Sequence, residues 1–298
     1  MKTLITGGSG FIGTNVISKL LKTGNEIAVL DNFPPITGKN LIEFIQADIR
    51  NSLQLDKQIA DNFDALIHLA AKSDARNMEN FSTFKEINVD GTMNVLELAR
   101  KNDIKKVIFT SSSHVYGNIP QKKFAESGPI NPISYYGSSK FFGETICRAY
   151  SDFYGINCII LRLFTVYGPG GRTDMAVMRF IDSISQNKPI EVFGQGKIKK
   201  DFVYIDDISD GIIKSLNSKA KYEIINLGSG KATDLLSLIA MIENQLGKKA
   251  RKSFLSMQKG DTAYSCADIK KAKKLLNWSP KVSIEDGIRK TIQWRKSN

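Results

Sequence analysis

At 298 residues, 42% hydrophobic and 24% charged, the chain is long and apolar enough for one large or two modest cores, which excludes a disordered protein. A net charge of +12 favours anionic partners such as nucleotide phosphates. The lysines gather in short groups, Lys105-Lys106, Lys122-Lys123, Lys197 to Lys200, Lys248 to Lys252 and Lys270 to Lys274, with no interleaved aromatic residues to stack on bases, so no nucleic-acid partner is expected. Three scattered cysteines, Cys147, Cys158 and Cys266, and two histidines, His68 and His114, suggest neither a disulfide framework nor a metal site. The longest apolar run, Cys158 to Tyr167, is interrupted by Arg162, so no membrane span is expected. Met1-Lys2 leads directly into a strand, leaving no room for a cleavable leader, and a cytoplasmic location is expected.

In chain order, Thr3 to Thr6 reads as a strand and TGGSGFIG (Thr6 to Gly13) as a tight turn opening a helix to about Lys22. Gly7, Gly10 and Gly13 let the backbone turn, approach a pyrophosphate and pack helix on strand, with Phe11 and Ile12 in the first helical turn. A second strand, Glu26 to Leu30, ends at Asp31-Asn32, where a carboxylate can bond the adenosine ribose hydroxyls and repel a 2′-phosphate; NAD is expected over NADP. Glu43 to Gln46 is a third strand, followed by Asp48-Ile49 placed for the adenine. Ala65 to Leu69 is a fourth, leading through Ala70 and Ala71 into the small-residue loop AAKSDAR.

Asp90 to Lys101 is helical, and the strand Lys106 to Thr110 delivers Ser111-Ser112-Ser113 at its carboxyl end. YGSSK (Tyr136 to Lys140) opens a helix to about Phe153, placing Tyr136 and Lys140 on one face. A nearby ammonium lowers a phenol from its usual pKa of about 10 and makes a general base. After the strand Asn157 to Phe164, alternation loosens. Helices are read at 174–185, 205–216, 235–246, 268–276 and 284–294, with strands at Ile190 to Phe193 and at Glu223 to Leu227, the latter rejoining the first sheet. These elements make an α/β protein: a Rossmann-type doubly wound parallel sheet over 1–165, rejoined by about 201–230, and a smaller mixed lobe from 166–200 and 231–298.

With TGGSGFIG, Asp31, TSSSHVYG, YGSSK and LRLFTVYGPGGR, the chain resembles the extended short-chain dehydrogenase/reductase family, specifically the NAD-dependent nucleotide-sugar epimerases and dehydratases. FTVYGPGGRTDMA, GKIKKDFVYIDDI and MQKGD are most similar to the 4-epimerases of UDP-glucuronate, although the segment Phe33 to Leu41 is shorter than theirs. The resemblance implies Tyr136 as general base, Lys140 as the nicotinamide-ribose ligand that depresses the tyrosine pKa, and Ser112 as the catalytic hydroxyl. Ser113-His114 stand where 4,6-dehydratases carry Asp-Glu, so dehydration is disfavoured. The resemblance also implies Ser113, Thr165 and Arg172 around a sugar carboxylate, Val192-Phe193 along the uracil, Lys200 at the diphosphate and Asp261 at the uridine ribose. Lys200 replaces the arginine of many relatives, keeping charge but losing the bidentate fork.

The activity implied is oxidation of a UDP-sugar at C4, rotation of the 4-keto sugar and return of the hydride to the other face. A homodimer through a four-helix bundle of 90–101 and 136–153 is also implied. The residues leave open a 4-ketosugar reductase, and, from another class, a non-catalytic dinucleotide-sensing or RNA-binding protein on the same scaffold.

Overall fold

The computed structural model describes residues 1–38, 41–59, 62–74 and 80–297. Seven parallel strands form the central sheet: β1 (Lys2–Thr6), β2 (Glu26–Asp31), β3 (Glu43–Gln46), β4 (Ala65–His68), β5 (Lys106–Ser112), β6 (Asn157–Leu163) and, after four short strands, β11 (Tyr222–Leu227). Their order is β11-β6-β5-β4-β1-β2-β3, so connections run outward from β1 in both directions and the sheet reverses beside it. That reversal opens a crevice at the carboxyl ends of the strands, where Gly7, Asp31, Leu69, Ser112 and Phe164 emerge. Strands buried on both faces need continuous apolar runs, and VIF in β5 and CIIL in β6 are fully covered.

Two cores flank the sheet. One lies under α1 (Phe11–Leu21) and includes Val16, Ile17 and Leu20; the other includes Leu55 of α2 (Ser52–Gln58). After α3 (Phe81–Phe84), a single wide helical turn spans Lys85–Asp90 and leads into α4 (Gly91–Lys101). Helix α5 (Tyr135–Tyr154) starts where the Ser134 side chain accepts the Gly137 N–H at 3.1 Å, and stops at Gly155, whose φ of 70° is the left-handed cap a side chain disfavours. Gly143 lets α5 press on β5, since a Cβ there would sit 2.6 Å from the Phe109 ring.

The smaller lobe contains β7 (Thr165–Tyr167), α6 (Ala176–Ser185), β8 (Ile190–Phe193), β9 (Lys199–Lys200) and β10 (Phe202–Tyr204). After α7 (Ile205–Leu216), which packs beside α1, come β12 (Thr233–Asp234), α8 (Leu235–Leu246), β13 (Lys252–Leu255), α9 (Lys270–Leu276) and α10 (Ile284–Ser297). Three two-stranded pairings, β7 with β10, β8 with β13 and β9 with β12, hold it, around a core including Phe180, Val192, Ile239 and Ile288. Ala267, Ile269, Ala272, Leu276 and Trp278 pack instead on the sheet side, so the chain crosses between the parts repeatedly.

One crossing is fastened by Asp201, whose buried carboxylate accepts from Ser229 N (2.6 Å), Ser229 Oγ (2.7 Å), Gly230 N (2.9 Å) and Ala267 N (2.9 Å). Helices expected from 174 and 268 begin at Ala176 and Lys270, and the short helix α2 and strands β7, β9, β10, β12 and β13 carry too few residues for a periodic pattern.

Candidate active site

A cavity of about 500 Å³ lies between the carboxyl edge of the sheet and the lobe. At its sheet end the walls are backbone. Gly7 has φ +71°, and a Cβ there would be 2.5 Å from Ala70 N; a Cβ at Gly13 would be 2.5 Å from the Gly7 carbonyl. Gly10 caps α1 without a side-chain bond, leaving the helix N-terminus open to an anion. The Asp31 carboxylate braces this loop, accepting from Ser9 N at 3.0 Å and Phe33 N at 3.2 Å, with lone pairs left for two hydroxyls. This arrangement could hold a dinucleotide, with the Gly7 to Gly13 backbone available to a pyrophosphate and the Asp31 carboxylate to a ribose.

Gly7, Gly10, Phe11, Ile12, Gly13, Leu69 and Ala71 line the cavity, while Ala70 backs Gly7. Asn32 receives Gln46 through its carbonyl. Asp48 and Ile49 lie outside the cavity. Arg50 grips the Asp48 carboxylate and holds its pKa below the usual range, and Ile49 is buried against Gly91. Ala75 and Arg76 of the small-residue loop lie outside the described residues.

Ser112, Ser113, Tyr136 and Lys140 meet in the middle of the cavity. Ser112 ends β5, and its Oγ accepts from His114 N at 3.2 Å. Tyr136 lies in the first turn of α5, edge-on to His114 with ring centroids 5.6 Å apart. Burial raises the phenol pKa above its ordinary value, against a hydrogen bond with Ser112 and the positive charge of Arg172. The Lys140 ammonium lies 4.8 Å over the Phe109 ring, and burial pulls its pKa to about 8.

Behind it is a network the sequence reading missed. Glu144, one turn after Lys140, is buried and takes Arg162 Nη2 at 2.7 Å and Nε at 2.9 Å together with Ser111 Oγ at 2.5 Å. Arg162, which interrupts the apolar run of β6, was the available signal: a buried arginine needs a carboxylate. Asn88 was also missed. It stands on the wide turn, donates to Ser139 Oγ at 2.9 Å and exchanges bonds with the Lys72 backbone, tying α5 to the loop after β4.

At the lobe end the charged side chains are paired with one another. Arg172 forks onto Asp174 at 2.7 and 2.9 Å and reaches Ser73 Oγ at 2.6 Å, bridging lobe and sheet loop. Lys200 donates to Asp261 at 2.8 Å and to Thr262. Burial lowers the Lys200 pKa, opposed by Asp261. Thr165 and Phe193 line the cavity, but Val192 does not: strand alternation in β8 turns it into the lobe core, so only its backbone can face a base.

Residues 3–228 match the model of the NAD dependent epimerase/dehydratase family. The chain belongs to that family. Its cofactor is NAD. This epimerase/dehydratase chain is 39% identical to a UDP-glucuronate 4-epimerase of Thermodesulfobacterium geofontis, over 99% of this chain and 96% of that protein. Among solved structures it is similar to the UDP-glucuronic acid 4-epimerase of Bacillus cereus in complex with UDP-glucuronic acid and NAD, with 34% identity, a TM-score of 0.91 and coverage of 100% and 99% of the two chains. It also resembles the UDP-glucose 4-epimerase of Thermotoga maritima with UDP-glucose, at 27% identity and a TM-score of 0.95, covering 100% of this chain and 99% of that one.

Proposed function

We propose that the chain is an NAD-dependent UDP-sugar 4-epimerase whose sugar is a hexuronate. The observation that carries the hexuronate is that Arg172 lines the same cavity as Tyr136, near enough for its positive charge to bear on the phenol. A guanidinium beside the base that serves C4 is where the C5 carboxylate of a bound uronate would lie, with Ser113 and Thr165 as further hydroxyl donors.

NAD, when bound, supplies the acceptor and donor of the C4 hydride. Tyr136 takes the C4 hydroxyl proton and later returns it, with Ser112 Oγ holding the same oxygen. Burial raises the phenol pKa, so the base needs positive charge beside it, which Lys140 and Arg172 would supply. Lys140 serves the nicotinamide ribose, and Glu144 with Arg162 fixes the helix that carries it. Lys200 serves the diphosphate, Asp261 the uridine ribose, and Phe193 with the Val192 backbone the uracil. For Arg172 and Lys200 the incoming anions displace Asp174 and Asp261.

The test is product analysis with catalytic NAD⁺ and separate UDP-glucuronate, UDP-glucose and UDP-N-acetylglucosamine. A C4 epimer from the glucuronate alone is expected; preferential turnover of a neutral sugar would overturn the hexuronate reading.

A homodimer through α4 and α5 is part of the proposal. Met93 and Phe142 on these helices are 46% and 48% exposed, leaving apolar surface for a second copy. Light scattering should give twice the 33.1 kDa of the chain, and a mass near the single chain would contradict it. Among the described residues no helix is long and apolar enough to cross a membrane, and a cytoplasmic site of action is proposed.

A further inference from the structure

Arg172 is met by negative charge from two parts of the chain. Within the lobe it donates to the Asp174 carboxylate, Nε at 2.9 Å and Nη2 at 2.7 Å. Across the cavity it reaches the loop after β4, where Nη1 donates to the Ser73 carbonyl at 3.1 Å and to Ser73 Oγ at 2.6 Å. The next residue of that loop is Asp74, which lines the cavity too. Asp174, by its hydrogen bonds and its charge, raises the guanidinium pKa against the cost of burial, and the Asp74 charge acts in the same direction. A carboxylate in the wall of a site read as taking a carboxylate calls for an account, because like charges repel. A bound uronate would place its own carboxylate on Arg172, so three negative groups would converge on one guanidinium. The Arg172 side chain is 40% exposed, and water weakens that repulsion without removing it.

We propose that Asp74 is a specificity-determining residue of the sugar end, whose negative charge limits how tightly Arg172 holds the carboxylate of a bound uronate. The proposal rests on the reading of the substrate as a UDP-hexuronate. A sugar that turns between two hydride transfers carries its C5 substituent with it, and a guanidinium free of competing charge would hold a carboxylate in one orientation. Asp174 stands ready to retake the fork when the carboxylate leaves, and Asp74 biases the exchange toward release. Neutral sugars leave the fork closed on Asp174, and the Asp74 charge has no ligand anion to act on. Asp74 thus acts on one class of ligand through Arg172, at long range and through charge, which separates it from a residue that shapes the cavity for every ligand.

Calorimetric titration of the NAD-loaded protein with UDP, UDP-glucose and UDP-glucuronate tests this. Asp74→Asn, which keeps the shape and removes the charge, should bind UDP-glucuronate about 5- to 10-fold more tightly than the wild type at low salt, the worth of one like charge near a half-exposed pair. Its affinities for UDP-glucose and UDP should be unchanged, and Asp74→Glu should bind all three as the wild type does. The gain for UDP-glucuronate should shrink at high salt, because exposed charges are screened. Unchanged or weaker binding of UDP-glucuronate by Asp74→Asn would overturn the proposal, as would an equal gain for UDP-glucose or a gain that salt does not touch. Asp74 is half-buried on a loop; should the asparagine variant fail to fold, Asp74→Ala carries the same expectations. Wild-type protein that binds UDP-glucose but not UDP-glucuronate would overturn the hexuronate reading itself, and the proposal with it.

Discussion

The two ends of the cavity recognise anions by different means. At the sheet end a dinucleotide would meet main chain: Gly7 and Gly13 leave no room for a Cβ, and the start of α1, uncapped by a side chain, would face its pyrophosphate. At the lobe end, under the proposed function, a ligand anion would meet side chains already paired, Arg172 with Asp174 and Lys200 with Asp261, and would take their partners' places. The first end is rigid and general for a dinucleotide; the second is exchangeable, and its selectivity depends on how well a ligand anion competes with an internal carboxylate. Anchoring firmly at the cofactor and adjustably at the sugar suits a reaction in which the sugar turns and NAD stays.

Tyr136→Phe should cut kcat by about 10³-fold while both ends keep their ligands, because only the acid–base group is lost. Retained NAD and retained UDP affinity with lost turnover separates chemistry from binding; persistent turnover would remove Tyr136 from its role. Gly13→Ala attacks the rigid end. Its Cβ would meet the Gly7 and Gly8 carbonyls at 2.5 Å, so the purified protein should lose its NAD and about 1–3 kcal/mol of stability, measurable by cofactor content and thermal melting. Unchanged NAD content would show that the sheet end is not rigid.

Arg172→Ala attacks the exchangeable end. Activity on UDP-glucuronate should fall about 10- to 100-fold, the worth of a charged hydrogen-bonded contact, with UDP-glucose less affected. Equal losses on both would remove the carboxylate contact and leave Arg172 as a bridge to Ser73.

A last effect is a pH dependence of stability that touches neither end directly. Burial holds His68 near 3, with the Lys140 charge adding to it, and His114 near 4, with Lys200 adding and Asp261 opposing. Both lie below the unfolded value of about 6.5, so between those values the unfolded chain binds more protons and stability falls as pH falls. Each contributes a slope approaching about 1.4 kcal/mol per pH unit near pH 5. Denaturant melts across that pH range, with His114→Phe removing its own share, would check the assignment.

How far the sequence could be read follows the same division. The glycine spacing, Asp31, the serine run and YGSSK are local patterns whose chemistry depends on a few neighbouring residues, and the strands deliver them to one edge because parallel sheets expose their carboxyl ends together. The return to the sheet of the strand read at 223–227 was legible, and the strand pairs with β6 from Tyr222 to Leu227. Partnerships across long separations were not. Nothing near Lys200 in sequence announces Asp261, nor does anything near Arg162 announce Glu144, and the Val192 side chain faces inward because of a strand pairing with 252–255 that no local pattern marks. The contact of the Lys140 ammonium with Phe109 of the neighbouring strand is another such partnership across a long separation.

The most direct test of the account uses UDP-glucuronate carrying deuterium at C4, with NAD⁺ held well below the substrate concentration. The account predicts a C4 epimer that keeps its deuterium at C4, with no accumulation of reduced cofactor, because the hydride leaves and returns within one bound complex. Loss of the label to solvent, or steady formation of deuterated NADH with a released keto sugar, would contradict it.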